Sequence, residues 1–161
     1  MLEYFTEAVV LYKEPIGEQD ARVVLFTREL GRITAKIKSA RKITSKLSGH
    51  FEPLDISQVR LITKNIFQIV DGLKIGRIES RHLPSLNLIK DISAEGQPDL
   101  MMWELLRSNR LSEEAVLKVS GFDPKFAECQ SCSGVNHLKF SIQNLDYFCL
   151  NCFNEGNVLE A

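Results

Sequence analysis

The sequence has no apolar run close to the roughly 20 residues that span a membrane. Its first residues show no basic stretch followed by an apolar one, so we expect a soluble, cytoplasmic protein without a secretion signal. None of the GxxxxGK[ST], GxGxxG, HExxH or GxSxG motifs occurs. The only histidines, His50, His82 and His137, are not spaced as partners of a nucleophile. The sequence therefore disfavours an enzyme.

The composition that remains is that of an ordinary globular chain, with 161 residues, 44% of them hydrophobic and 25% charged. This length allows one domain or two small ones. Near residue 78 the pattern changes from short segments rich in β-branched and aromatic residues to apolar residues at helical spacing. We therefore predict an N-terminal domain over residues 1–77 and a second region over residues 78–161.

The net charge of −1 hides a concentration of positive charge in the first half of the chain. Residues 28–50 contain seven Lys or Arg residues and a single acid, Glu29. A concentrated basic stretch on a nearly neutral protein indicates a polyanion bound at one place. A solvated charged loop is the alternative explanation.

The first 75 residues are predicted to form a small barrel of five strands, because Val, Ile, Phe, Tyr and Thr dominate and turn residues recur. The predicted strands cover residues 4–12, 21–28, 32–39, 54–64 and 66–73. A loop over residues 14–20 separates the first two. Gly31 is expected to supply a positive φ in the tight turn between the second and third.

The third predicted strand alternates aliphatic residues with cations, and a period of two places the cations on one outward face. The segment that follows is polar and basic, which is typical of a loop that contacts a ligand. Together these segments give six candidate residues for contact with a polyanion, which are Arg32, Lys36, Lys38, Arg41, Lys42 and Lys46.

Helical spacing follows residue 78, with Pro84 and Pro98 placed to open two short helices. Ser112 is a candidate N-cap of a third, which ends before Gly121. These helices are short, so we expect them to pack against the barrel or the cysteine segment. Trp103 is interpreted as a packing residue at a domain contact.

All four cysteines lie near the end of the given sequence, as Cys129-x-x-Cys132 and, after 16 intervening residues, Cys149-x-x-Cys152. Two CxxC pairs at this separation are typical of a tetrahedral zinc ribbon. Four thiolates leave no open coordination position, so the predicted zinc is structural, with one ion per chain. Disulfides and a redox-active CxxC are the alternatives, and the second would not explain the duplicated motif.

Several stretches, in this order along the chain, resemble the RecO family of bacterial recombination mediators. They are LFTRELGRI at 25–33, ARK at 40–42, SKL at 45–47, GFDP at 121–124 before the first cysteine pair, and FS at 140–141 before the second. The sequence departs from the family pattern at Ser39, where glycine is usual, and at residues 145–146, where Gly-Gly is frequent. Its helical region is also shorter than is usual.

The resemblance implies an α+β protein with an N-terminal OB-fold barrel, a short helical region and a C-terminal four-cysteine zinc ribbon. It implies binding and annealing of single- and double-stranded DNA, with the six cations named above as the DNA-binding residues. It also implies cooperation with RecR to load RecA in repair, away from membranes. A contact with the single-stranded-DNA-binding protein would depend on the shortened helical region. Tyr12, Phe26 and Phe67 are candidates for base stacking, although strand aromatics more often belong to a core.

Two other functions fit the sequence. A protein-interaction module of the RecO–RecR complex, with little DNA binding of its own, is suggested by the acid-rich residues 1–20 and the net negative second half. An RNA-binding ribbon protein of the translation machinery is the other alternative.

Overall fold

The computed structural model describes residues 1–40, 45–47 and 49–154, and the first half of the chain is a closed barrel of five strands. The strands are β1 (Leu2–Ile16), β2 (Asp20–Thr27), β3 (Gly31–Ile37), β4 (Asp55–Thr63) and β5 (Phe67–Arg77). They are neighbours in the order β1-β2-β3-β5-β4, and β4 pairs back onto β1. The β3–β5 pair is parallel and the others are antiparallel. The predicted OB-fold barrel is confirmed.

Alternation of side chains builds the interior of the barrel, because successive residues of a strand point to opposite faces. In β3 every second residue from Gly31 to Ile37 is buried, and the residues between them are partly exposed. Phe51, from the segment before β4, is fully buried and adds its ring to this interior. The core comprises Ala8, Val10, Ala21, Val23, Leu25, Ile33, Ala35, Ile37, Ala40, Phe51, Val59, Leu61 and Ile69.

The prediction of a loop over residues 14–20 is wrong, because β1 continues to Ile16 and only residues 17–19 form the turn. Glu14 lies opposite Arg22 on β2 and forms an ion pair with it. This cross-strand contact extends β1 through residues 14–16, although their sequence is typical of a loop. A register shift between Val10 and Tyr12 marks a bulge, a feature that bends a strand.

The turn between β2 and β3 places Gly31 in close contact with the backbone of Gln97, in the helical region. The Thr27 hydroxyl donates to the Gly31 carbonyl at 3.0 Å and accepts from the Leu30 N–H at 2.9 Å. Gly31 has the predicted positive φ, 68°. A Cβ on Gly31 would lie 2.0 Å from the backbone oxygen of Gln97, so the turn has no space for a side chain.

We predict that Gly31→Ala destabilises the protein by at least about 2 kcal/mol, through left-handed strain and the overlap with Gln97. Gly96→Ala is the matched control, because Gly96 has φ 71° and no atom within 4 Å of an added Cβ. The control should lose about 1 kcal/mol, from strain alone. Urea unfolding measures both variants, and equal losses would contradict the role of the Gln97 contact.

Three short helices follow the barrel: α1 (Leu83–Ile92), α2 (Leu100–Leu106) and α3 (Glu113–Val119). Pro84 lies in the first turn of α1, as predicted. The Asp99 carboxylate caps α2 by accepting from Met102 N–H at 3.0 Å, and the Ser112 hydroxyl caps α3 by accepting from Ala115 N–H at 3.1 Å. The predicted N-cap at Ser112 is confirmed.

Among the described residues, no helix combines the length and apolar character needed to cross a membrane.

The helices and the barrel share a second hydrophobic core on the outside of the barrel. Val9, Leu11 and Phe26 from β1 and β2 belong to the same cluster as side chains from all three helices. Trp103 is 6% exposed within it, so its predicted packing role is confirmed. The cluster also includes Tyr147, which belongs to the cysteine segment. One continuous core therefore joins the barrel, the helices and the C-terminal hairpin.

The hairpin consists of β6 (Leu138–Ser141) and β7 (Asp146–Cys149), and α4 (Leu150–Asn154) follows directly. Single turns of 3₁₀ helix lie at Ser80–His82 and Pro124–Phe126. The short helical region and the C-terminal four-cysteine cluster are present, as the predicted fold class requires.

Candidate nucleic-acid interface and metal centre

The six predicted DNA contacts fall into three groups. Arg32 and Lys36 lie on β3, and both are partly buried. Lys38, in the turn after β3, and Lys46, in the segment before β4, are exposed. The remaining two, Arg41 and Lys42, lie outside the described residues.

Lys36 has a carboxylate partner. Its ammonium group lies 2.7 Å from Asp20 Oδ2, at the start of β2. Asp20 Oδ1 accepts from the backbone N–H of Ser39 at 2.8 Å. The Lys36 hydrogen bond, followed by the Ser39 N–H, lowers the pKa of the Asp20 carboxyl. Asp20 therefore stays ionised and offsets the charge of Lys36 near neutral pH.

Ser39 adopts φ 54°, in the left-handed region. This conformation gives a physical reason for glycine at the corresponding family position, because glycine adopts it without a steric penalty. Here Ser39 keeps the backbone N–H that holds Asp20. The departure from the family pattern leaves the turn after β3 intact.

Arg32 belongs to the junction between the barrel and the helices. Its carbonyl accepts from Gly96 N–H at 2.8 Å, and its backbone forms an isolated bridge with Glu95. Its Nε is buried and has no hydrogen-bond partner within the described residues. Arg32 is therefore less accessible to a ligand than the exposed Lys38 and Lys46.

Most of the other described cations of the barrel form ion pairs. Asp55, only 1% exposed, holds two of them, with Lys74 at 3.0 Å and Arg77 at 2.8 Å. Further pairs join Lys13 to Glu52, Arg22 to Glu14, Arg28 to Glu29 and Arg60 to Glu3. Within the part of the barrel that the structure describes, the cations outside any ion pair are Arg32, Lys38, Lys46 and Lys64.

Lys64 is a candidate contact that the sequence argument missed. It is exposed in the turn between β4 and β5, just before the residues of β5 that pair with Ala35 and Lys36. The signal in the sequence was Lys64 at the end of the fourth predicted strand, followed by Asn65. Its relation to β3 follows only from the parallel β3–β5 pairing, which the sequence does not reveal.

The candidate stacking residues differ in accessibility. Phe26 is 1% exposed and belongs to the core under the helices. Phe67 packs against Tyr4, with ring centroids 6.0 Å apart. Tyr12 is 39% exposed, and the Lys90 ammonium group lies 4.5 Å from its ring centroid. Of the three, Tyr12 offers the most surface.

The four cysteines come together at the base of the hairpin. After the first pair the chain turns back on itself, with Cys129 N–H donating to the Gly134 carbonyl at 2.7 Å and Ser133 N–H to the Cys129 carbonyl at 2.8 Å. Ser133 takes φ 59° in this turn. The second pair joins the end of β7 to α4, where Cys152 N–H points at Cys149 Sγ at 3.5 Å.

The four sulfur atoms fit a single metal ion. All lie within 4.8 Å of one another, and all four cysteines are free of disulfides. Cys132 Sγ and Cys149 Sγ are 3.7 Å apart. A tetrahedral ion with metal–sulfur bonds of about 2.3 Å requires sulfur separations of roughly 3.8 Å. The cluster could therefore bind one tetrahedral ion after shifts of no more than about 1 Å in the sulfur separations.

The pKa shifts of the cysteine thiols are also consistent with a site for a cation. Backbone hydrogen bonds, chiefly from Cys149, lower the pKa of Cys129 to about 6. The Cys149 side chain and burial raise the pKa of Cys152. Four neighbouring thiols cannot all ionise without a balancing positive charge, and a divalent cation supplies it.

The hairpin that carries the four-cysteine cluster packs against the helical region. The Tyr147 hydroxyl donates to the Phe122 carbonyl at 2.7 Å, just beyond α3. Phe140 lies between Phe122 and Tyr147, with ring centroids 5.0 Å and 5.2 Å away. The hairpin is therefore held by the cysteines at one end and by aromatic packing on the helical region at the other.

Comparison with known proteins covers both halves of the chain. Residues 1–75 match the family model described as the N-terminal region of recombination protein O. A DNA repair protein RecO from Dehalococcoides mccartyi is 29% identical over 94% of this chain and 71% of its own length. The one from Myxococcus xanthus is 28% identical over 83% of this chain and 65% of its own length. That of Thermodesulfovibrio yellowstonii is 41% identical, over 44% of this chain and 29% of its own length.

Proposed function

We propose that the barrel of this chain, which is similar to RecO proteins of DNA repair and recombination, binds single- and double-stranded DNA and anneals complementary strands. The observation that carries the proposal is the distribution of unpaired charge. Exposed Lys38 and Lys46 both lie in the segment between β3 and β4, and most other described barrel cations are in ion pairs. OB-folds hold single strands by such basic surfaces.

The proposed contact surface comprises Lys38, Lys46 and Lys64, with Arg41 and Lys42 from outside the described residues. Lys36 joins it when a phosphate competes with Asp20 for the ammonium group. Arg32 contributes its charge from the barrel–helix junction. No catalytic step is part of the proposal, and the site of action is the cytoplasm, where the chromosome of a bacterium lies.

Titration of fluorescent single-stranded DNA at several salt concentrations tests the proposal. Affinity should fall with salt with a log–log slope of about −0.7 per neutralised phosphate, so between about −2 and −4 for three to six cations. A slope near zero, or no binding at low salt, would contradict DNA binding. Competition with structured RNA separates DNA binding from the function of an RNA-binding ribbon protein.

Zinc is the metal we propose for the four-cysteine cluster. Four thiolates in a tetrahedral arrangement are the ligand set of structural zinc sites, and they leave no position for water or substrate. When bound, the ion supplies folding free energy to the hairpin. The four cysteines would be its ligands, and the backbone turns around them would keep the sulfur atoms in position.

The proposed partners are RecR and RecA, with the chain acting beside RecR to load RecA on gapped or broken DNA. A contact with the single-stranded-DNA-binding protein would use the helical region, which is short here.

A second candidate function, an interaction module of the RecO–RecR complex, is favoured by one observation. Asp20 neutralises Lys36, and Arg32 is partly buried, so two of the six predicted contacts are weaker than the sequence suggests. Co-purification with RecR together with no DNA binding at low salt would favour this alternative.

A further inference from the structure

Two isoleucines on either side of Lys64 present apolar surface to solvent. Ile66, in the turn between β4 and β5 (residues 64–66), is 65% exposed, and Ile62, in β4, is partly exposed. Neither belongs to a hydrophobic core cluster of the described residues or packs against one. Single exposed apolar residues are common on protein surfaces, and it is the surroundings of these two that indicate a ligand.

The register of the barrel places Ile62 on its outer surface, in one row with Lys36. Ile62 pairs with Gln68 of β5, and Gln68 pairs on its other side with Lys36 of β3. Residues that pair directly point to the same face of a sheet. Lys36 points outward, because its neighbours Ala35 and Ile37 belong to the barrel core. Ile62 and Gln68 therefore face outward as well.

Ile66 adjoins this row. It precedes Gln68 by two residues, so their Cα atoms are at most about 7 Å apart. Neighbouring strands are about 5 Å apart, which places Gln68 between Ile62 on one side and Lys36 on the other. The two isoleucines and Lys36 therefore lie within about 12 Å of one another on the outside of the barrel.

Uncompensated positive charge lies beside the isoleucines. Lys64 is exposed, lies two residues from each of them and forms no ion pair within the described residues. The carboxylate of Glu3, which lies opposite Ile62 on β1, forms an ion pair with Arg60. A strand whose phosphates contact Lys64 therefore carries its bases next to Ile66.

The aromatic side chains near this turn are directed elsewhere. Phe67 packs on the barrel core and against Tyr4, with ring centroids 6.0 Å apart. Phe26 is 1% exposed, in the core under the helices. Proteins that bind nucleic acid also use aliphatic side chains, isoleucine among them, to pack against base faces. Apolar contact with a base on this side of the barrel is thus left to the isoleucines.

We propose that Ile62 and Ile66 form a platform for unpaired bases, beside the phosphate contacts of Lys36 and Lys64. This inference rests on the proposed DNA binding and adds a means to distinguish a single strand from a duplex. A duplex offers its phosphates to the lysines but keeps its base faces stacked inside, whereas a single strand offers both. Contact with a base face leaves the pairing edge of the base free for a complementary strand.

Three oligonucleotides of about 12 nucleotides test the inference on the full chain. They are oligothymidylate, a strand of abasic tetrahydrofuran units with the same phosphates, and a hairpin duplex. The unmodified chain should bind oligothymidylate about tenfold more tightly than the abasic strand, as measured by fluorescence anisotropy. Ile66→Ala should weaken binding of oligothymidylate about three- to tenfold and leave the affinities for the abasic strand and the duplex unchanged.

Three further variants separate base contact from charge. Ile142→Ala is the matched control, because Ile142 is 43% exposed and lies outside the barrel, between β6 and β7, and it should bind all three oligonucleotides like the parent. Lys64→Ala should weaken binding of all three and reduce the salt slope on single strands by about 0.7, whereas Ile66→Ala leaves the slope unchanged. Ile66→Phe should strengthen binding of oligothymidylate, because an aromatic face stacks on bases. The urea midpoint should stay that of the parent in every variant, since all three residues are exposed.

The outcomes separate this inference from the proposed function. An unchanged affinity of Ile66→Ala for oligothymidylate would overturn the platform alone, and so would equal weakening by Ile142→Ala or equal loss on the abasic strand. Equal loss on the duplex would show that Ile66 enters between stacked base pairs, which also contradicts the inference. Absence of binding to every oligonucleotide at low salt would overturn the proposed DNA binding and the platform with it.

Discussion

Replacing Cys132 with serine should leave the chain without bound metal and should unfold residues 127–154. Structural zinc sites supply about 10–16 kcal/mol of binding free energy to the segments that they organise. The hairpin here has two four-residue strands and a five-residue helix, too little apolar surface to fold alone. Cys132 is exposed, so serine there removes a ligand without disturbing packing.

Metal content and limited proteolysis measure this outcome on the same sample. The variant should contain less than one-tenth of the parent's zinc, and cleavage should begin within residues 127–154 while the barrel stays protected. Ser131→Ala, an exposed neighbour that holds no metal, is the control and should match the parent. A metal-free variant with the parent's protease resistance would contradict a structural role for the ion.

The consequences should extend into the helical core, because Tyr147 packs there and donates to the Phe122 carbonyl. Trp103, the single tryptophan, reports on this core by its fluorescence. Chelation of the parent's metal should shift its emission to longer wavelength.

Reversing two exposed charges, Lys38→Glu/Lys46→Glu, should weaken binding of single-stranded DNA about 30-fold at 0.1 M salt and reduce the salt slope by about 1.4. Both lysines are exposed and outside any described ion pair. The charge of Lys38 is the last of the causes that lower the pKa of the Asp20 carboxyl, so urea unfolding of the variant is measured beside its DNA affinity. The matched control is Lys118→Glu/Lys125→Glu, the same two reversals outside the barrel. Equal weakening by the control would show that net charge, rather than this surface, governs affinity.

Lys36→Ala provides a finer comparison. Because Asp20 already holds this ammonium group at 2.7 Å, its removal should cost less DNA affinity than removal of Lys38. A larger loss for Lys36→Ala would mean that the ion pair opens fully when DNA binds. Fluorescence anisotropy with the same DNA measures both variants.

Local signals made much of this structure predictable. The period of two in β3, the capping serine at Ser112 and the glycine at Gly31 each act within a few residues, and each prediction is confirmed. The spacing of the two CxxC motifs likewise predicted a four-sulfur cluster, which the structure forms.

Features that depend on partners distant in sequence were not predictable. The ion pair of Asp20 with Lys36 follows from the turn geometry around β2 and β3, and the contact of Arg32 with Gly96 joins the barrel to a helix connection. The length of β1 was underestimated for the same reason, since Glu14 is held in a strand by Arg22. These contacts depend on strand register and on packing of the barrel against the helices, and neither can be inferred from amino-acid composition.

The continuous core outside the barrel limits how this protein can be divided. A fragment that ended at Arg77 would expose Val9, Leu11 and Phe26 to water, together with the apolar side chains beside them. Such a fragment would be prone to aggregation, although its five strands are complete. Ile78, at the start of the second predicted region, is itself buried in this core, so we expect a cut at that boundary to lower the solubility of both pieces.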